Sequence, residues 1–337
     1  MLMKISLLGA GAWGTALAIL FANSGHSVKL WCRNQQLAQQ MQNQRINNKL
    51  LPDFILPKNI AVTANFDDLF VDNFADLILI ATPTAALRSN LELIKSKITT
   101  QIPILWACKG FETQSSLLPH QIVSEIFDNP NYPMAVLSGP SFAQEVAQSQ
   151  PTAVSLAAND INLAQNLANA LHSENFRIYS NDDLIGVEVG GACKNVLAIA
   201  TGICDGLNFK FNTRAALITR GLAEIARLGV TMGGKHQTFL GLSGIGDILL
   251  TCTGDLSRNR QVGLQLAQGK TLSKILQDLG HVAEGVFTAK EMFNLSQKYN
   301  VEVPICQSVM AAFEKSGDAN NIKDIAKKLL MRTIKAE

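Results

Sequence analysis

Short apolar runs alternate with amphipathic stretches through the first half of the chain. Residues 4–8, 27–32, 60–63, 77–81, 104–107, 134–137, 153–156 and 177–179 are Leu-rich or β-branched and are bounded by Gly, Pro, Asn or Asp, which predicts strands. Residues 12–24, 35–44, 85–95, 117–127 and 161–172 carry a helical period between them. Strands alternating with helices imply a mostly parallel sheet covered on both faces. After about Asp183 the texture changes. Strand-like runs become rare, and 185–205, 214–228, 272–279, 289–298, 308–315 and 321–331 read as helices. The pattern predicts an α/β Rossmann-type domain over residues 1–185, followed by an all-α domain over residues 186–337.

One stretch supports two readings. Residues 5–22 contain no charge and follow Lys4, as the apolar region of a signal peptide or a marginal membrane helix would. The run also contains Gly9-Ala10-Gly11-Ala12-Trp13-Gly14, a G-x-G-x-x-G that follows the first strand and opens a helix. In that context the first Gly permits a tight turn, the second lets a pyrophosphate approach the backbone, and the third lets helix pack on strand. The helix N-terminus then offers N–H groups and positive dipole to phosphate. The strand–turn–helix reading is preferred over a membrane segment. Residues 187–203 are also small and apolar, but Glu188 and Lys194 interrupt them, so no stable membrane insertion is expected.

The second strand bears on cofactor choice. It ends Leu30-Trp31-Cys32-Arg33-Asn34, with no carboxylate to hold the ribose hydroxyls of NAD. Arg33 suits a 2′-phosphate, which favours NADP(H) and leaves NAD(H) possible; its alternative is a solvated loop arginine. Lys109 follows an apolar strand at its carboxyl end, the edge where open α/β sheets bind ligands, and is otherwise a surface lysine. Ser141, in Ser138-Gly139-Pro140-Ser141, reads as a helix N-cap or as a ligand contact. Lys194 lies among Gly190, Gly191, Ala192 and Cys193. A lysine there either snorkels to solvent or is a buried ammonium with a shifted pKa. Asp247 ends Gly244-Ile245-Gly246-Asp247. Ser257-Arg258-Asn259-Arg260 suits a phosphate, or else Ser257 caps a helix and the arginines are solvated.

Composition narrows the class. At 337 residues, the chain has room for roughly two domains of about 150 residues each. With 47% hydrophobic and 17% charged residues it can build sizeable cores, and a net charge of +2 disfavours a nucleic-acid binder. The six cysteines form no CxxC pair, which argues against a zinc ribbon and fits a reducing cytoplasm. The five histidines have no ligand spacing, so no metal is expected.

Taken together, segments 9–15, 106–112, 138–143, 186–195, 213–224, 244–253, 257–260 and 282–285 resemble, in order, those of the bacterial NAD(P)-dependent sn-glycerol-3-phosphate dehydrogenases. The resemblance implies a cytoplasmic homodimer. It also implies a small phosphorylated substrate, through reversible hydride transfer between NAD(P)H and dihydroxyacetone phosphate, giving sn-glycerol 3-phosphate for phospholipid synthesis. It makes Lys194 the proton donor and acceptor; by elementary electrostatics a nearby Lys109 would lower its pKa, and Asp247 would oppose that shift and orient the ammonium. Lys109, Gly139, Ser141, Lys194, Asp247, Ser257, Arg258 and Asn259 match substrate-contact positions. Gly9, Gly11 and Gly14 carry the fingerprint, and Ala12, Trp13, Arg33, Lys109, Ala143, Arg258, Val282 and Glu284 match cofactor-contact positions. Position 12 is often small and polar in relatives. Ala12 can offer only its backbone.

Overall fold

The computed structural model describes residues 2–279 and 283–330. The chain forms two compact units. Met1–Lys109 with Leu117–Leu184 makes the first, and Gly110–Ser116 with Ile185–Glu337 makes the second. The sequence pattern predicts 110–116 within the first domain. The structure joins this segment to the second unit, because its polar groups are satisfied there. The Gln114 amide donates to Glu291 Oε1 at 3.3 Å and the Ser116 hydroxyl to Glu291 Oε2 at 2.5 Å.

The first unit contains β1 (Lys4–Leu8), β2 (Ser27–Trp31), β3 (Ile46–Asn47), β4 (Leu51–Ile55), β5 (Ile60–Thr63), β6 (Leu77–Ile80), β7 (Ile104–Trp106), β8 (Met134–Ser138), β9 (Thr152–Ala158) and β10 (Phe176–Asn181). Eight of these form one sheet in the order β10-β9-β8-β7-β6-β1-β2-β5. Every neighbouring pair is parallel except β8 with β9. The central strands are buried on both faces: all four residues of β6 are at 0% exposure. That explains their continuous apolar sequence, since a half-solvated strand would alternate. Each such Leu or Ile contributes about 1.5–3 kcal/mol on burial. Helices α1 (Ala12–Asn23), α2 (Gln35–Gln44), α3 (Leu87–Lys95), α4 (Pro119–Phe127), α5 (Ala143–Ala147) and α6 (Ile161–Leu171) belong to the same unit. The apolar run that resembled a signal peptide is β1 followed by α1, and residues 14–22 are all buried in this core.

Strands β3 and β4 pair antiparallel as a separate hairpin, which the periodicity did not reveal. β3 has two residues, and β4 begins Leu51-Pro52-Asp53, so neither shows a strand pattern in sequence.

Among the described residues, the second unit is helical: α7 (Leu184–Gly206), α8 (Phe211–Thr231), α9 (His236–Phe239), α10 (Asp247–Thr253), α11 (Arg258–Ala267), α12 (Leu272–Leu279), α13 (Glu284–Lys298), α14 (Pro304–Glu314) and α15 (Ala319–Leu330). Helix α7 is long and apolar enough to cross a membrane, yet 89% of its most apolar window is buried inside the protein. Its small residues serve packing within the chain. A Cβ on Gly202 would sit 2.2 Å from the Arg260 carbonyl oxygen, and one on Gly263 would sit 2.1 Å from that of Ile199, so α7 and α11 meet backbone to backbone. Asp205 fastens the same contact. Its side chain is 6% exposed and takes Arg260 Nη2 at 2.9 Å and Arg214 Nη2 at 2.7 Å, joining α7, α11 and α8. Removing one partner from such a buried cluster costs about 3–5 kcal/mol.

Candidate functional site

In the first unit, the turn from β1 into α1 is shaped by its glycines. Gly9 has φ +112°, and its amide donates to the Trp31 carbonyl at 3.1 Å. A Cβ on Gly14 would lie 1.9 Å from the Gly9 carbonyl oxygen, whereas one on Gly11 would meet nothing within 4 Å. The first and third glycines are therefore demanded by packing. The second leaves open space at a helix end with no side-chain cap. The amides of that first turn lack helical partners and can receive phosphate oxygens. Ala12 and Trp13 are half-buried on this turn, and Arg33 is exposed just beyond β2. Beside it, Asn34 caps α2 by accepting from the Leu37 amide at 2.8 Å. These residues fit a dinucleotide: an open cradle for the pyrophosphate, and a cation where a carboxylate would repel a 2′-phosphate.

Lys109 is half-buried, and its ammonium donates to the Gly139 carbonyl at 3.3 Å. The Ser141 hydroxyl donates to the same carbonyl at 3.1 Å. Ser141 is thus not the N-cap of α5; Phe142 occupies that position without a side-chain bond. The helix starts later than its sequence suggests because the Ser141 hydroxyl is turned back to Gly139. Ala143, half-buried, opens α5.

The second unit gathers buried side chains instead. Lys194 is 8% exposed and Asp247 1%, so the ammonium does not snorkel. Its Nζ is ion-paired with Asp247 Oδ1 and donates to Thr251 Oγ1 at 2.9 Å. The Thr251 hydroxyl in turn donates to the Asp247 carbonyl at 2.6 Å. Packing makes this arrangement. A Cβ on Gly190 would fall 2.6 Å from the Ser243 carbonyl oxygen, so only glycine lets the wide turn Leu242–Gly246 press on α7 and deliver Asp247. Thr251 went unnoticed in the sequence. It lies four residues past Asp247 on one helix face, a signal legible only once α10 is known to be helical.

Ser257 caps α11, its hydroxyl oxygen accepting from the Arg260 amide at 3.3 Å. The two arginines beside it part company: Arg258 is exposed, whereas Arg260 is buried and ion-paired to Asp205 and Asp255. Asn259 donates to Asn195 Oδ1 at 2.9 Å and accepts from the Gly285 amide at 3.0 Å, linking α11 to α7 and to the start of α13. Glu284 is half-buried in the first turn of α13, and Val282 lies outside the described residues. Among the described residues, no three His, Cys, Asp or Glu side chains group as a metal site. The thiols of this unit are inert by burial. Cys204 and Cys252 are pushed up to about 12, and Cys193 and Cys306 also lie well above the usual thiol range.

Comparison with known proteins places these features. Residues 4–164 match the family described as NAD-dependent glycerol-3-phosphate dehydrogenase N-terminus, and residues 183–324 match the corresponding C-terminus. A protein of Dechloromonas aromatica named glycerol-3-phosphate dehydrogenase (NAD(P)+) is 54% identical over 93% of both chains. One of Thiobacillus denitrificans with the same name is 52% identical over 99% of this chain and 100% of its own. The crystal structure of the glycerol-3-phosphate dehydrogenase from Coxiella burnetii superposes with a TM-score of 0.92 at 40% identity, covering 98% of this chain and 99% of that one. The chain belongs to the NAD-dependent glycerol-3-phosphate dehydrogenase family.

Proposed function

We propose that the protein interconverts dihydroxyacetone phosphate and sn-glycerol 3-phosphate with NADP(H) in preference to NAD(H), with Lys194 as general acid and base. The observation that carries the reading is the buried ammonium of Lys194 held by Asp247 and Thr251. Family membership supports the substrate, since the relatives are named for it. In the proposed reaction, the nicotinamide supplies the hydride when bound. Lys194 stabilises the developing alkoxide and gives it a proton, and takes that proton back in the reverse direction. Asp247 faces the ammonium and, with Thr251, fixes where its protons point. Ser257, Arg258 and Asn259 receive the substrate phosphate; Arg258 is free of the Asp205 cluster that occupies Arg260. Lys109, Gly139 and Ser141 belong to the substrate set as well.

For the cofactor, the first-turn amides of α1, with Gly11, Ala12, Trp13 and Gly14, hold the pyrophosphate, and Arg33 holds the 2′-phosphate. Ala143, Val282 and Glu284 complete the cofactor contacts. We place the protein in the cytoplasm as a homodimer supplying phospholipid synthesis. The test is loss of NADPH absorbance when dihydroxyacetone phosphate is added to the purified protein, with NADH in parallel. Rapid oxidation of NADPH is expected. Folded protein that binds NADPH but oxidises neither cofactor would overturn the reading.

A further inference from the structure

The β3–β4 hairpin has no place in the chemistry above, yet it sends one side chain under the glycine turn. Asn47 is at 0% exposure. Its amide nitrogen donates to the Ala10 carbonyl at 3.1 Å and to the Thr15 hydroxyl at 2.9 Å, while its Oδ1 accepts from the Leu50 amide at 3.3 Å. Both donor bonds reach residues more than thirty positions earlier, one before and one after the fingerprint's second glycine. We propose that Asn47 is a positioning residue for the dinucleotide pyrophosphate, setting the orientation of the Ala10–Gly11 peptide.

The reason lies in peptide geometry. The Ala10 carbonyl and the Gly11 N–H share one planar trans unit and point in opposite directions. Holding that carbonyl inward on Asn47 turns the Gly11 N–H outward, on the side where a Cβ at Gly11 would meet nothing. Glycine lowers the barrier to turning this peptide over, because it tolerates backbone angles that other residues do not. Without Asn47 the carbonyl is free to face the open side, and an oxygen would then confront the phosphate in place of a donor. Thr15, itself at 0% exposure, holds the Asn47 amide in the plane that reaches Ala10.

This inference rests on dinucleotide binding at the glycine turn, and the experiment keeps the two apart. Dissociation constants for NADPH and for 2′-AMP, which lacks the pyrophosphate, are measured by calorimetry on the full chain. Wild type and Asn47→Ala are compared, with thermal unfolding alongside. Asn47→Ala is expected to weaken NADPH by about tenfold, the scale of one hydrogen bond to a charged group, and to leave 2′-AMP unchanged. An equal loss for both ligands, or a lowered melting temperature with unchanged NADPH affinity, would show a merely structural role. Should Asn47→Ala not fold, Thr15→Val frees the Asn47 amide without removing it. About threefold weaker NADPH binding with unchanged 2′-AMP is then expected, and an unchanged NADPH constant overturns the proposal. A wild-type protein that binds neither NADPH nor NADH fails the dehydrogenase reading itself.

Discussion

The two units build their sites from different materials. In the first, the glycine turn offers backbone amides at a helix end, and its shape depends on the absence of Cβ atoms at Gly9 and Gly14. In the second, the candidate site is made of side chains removed from water, with Lys194, Asp247 and Thr251 each under 10% exposed. A backbone site suits a large ligand gripped by many weak donors, and it is sensitive to added volume. A buried charged site suits one proton transfer, and it is sensitive to the loss of a single partner. Substitutions in the two places should therefore fail in different ways.

The largest effect is expected at Lys194. Lys194→Ala should lower kcat by about 10²–10⁴-fold, with NADPH affinity near normal by fluorescence titration. It also takes the ammonium away from the buried Asp247 carboxylate, which destabilises the fold. Replacing both partners, Lys194→Met with Asp247→Leu, should restore much of the melting temperature, because buried ion pairs exchange for apolar pairs at little cost. Activity should stay lost. A double variant that regains turnover would show that the pair holds the fold and does not act in the reaction.

Next come the glycines, which separate packing from ligand contact. Gly14→Ala places a carbon 1.9 Å from the Gly9 oxygen, so both the melting temperature and NADPH binding should fall. Gly11→Ala adds its methyl to open space. It should leave the apo melting temperature unchanged while weakening NADPH by about tenfold, as a cradle donor is obstructed. If both variants lose stability alike, the open side of Gly11 is not a ligand side. Of similar size is Arg33→Asp, which should weaken NADPH by about tenfold more than NADH; equal responses would remove Arg33 from 2′-phosphate recognition.

The last effects concern pH. In the first, burial lowers the His26 pKa below 6.5, and the neutral ring accepts from the Met3 amide. Its contribution is complete above pH 6.5 and declines as pH falls through that value. In the second, the Cys204 and Cys252 thiols are raised from 9.0 to about 12, so their contribution is complete below pH 9 and is lost as pH rises from there toward 12. Melting temperature against pH should therefore bend at both ends. Cys252→Ala should flatten only the alkaline limb, and His26→Asn only the acid one.

Much of the first unit was legible from the chain. Its strands are buried on both faces, so an apolar run bounded by breakers is a sufficient signal, and β5 and α2 begin and end where the pattern places them. The β3–β4 hairpin was not legible, because two residues and a Pro-containing pentamer carry no periodicity. Helix α10 has no period of its own in the sequence, and α11 shows only its Ser257 cap, for a different reason. Glycines at 244 and 246 and the polar start of α11 carry no apolar period, yet close contact with α7 packs those segments as helices. Lys194 was conspicuous among small neighbours, but its sequence left snorkelling and burial equally open.

The two-part architecture, the glycine turn and the residue types available for a dehydrogenase follow from the order of residues along the chain. Local patterns suffice there, because period, breakers and glycine placement act over a few residues. The fold alone buries Lys194 against Asp247 and Thr251, fifty-three and fifty-seven positions away. It also decided that Arg258 is exposed while Arg260 is paired, that Gly110–Ser116 packs with the second unit, and that Asn47 reaches back to Ala10. Each of these is a desolvation or hydrogen-bond outcome between distant segments, and no local pattern encodes which buried polar group finds which partner.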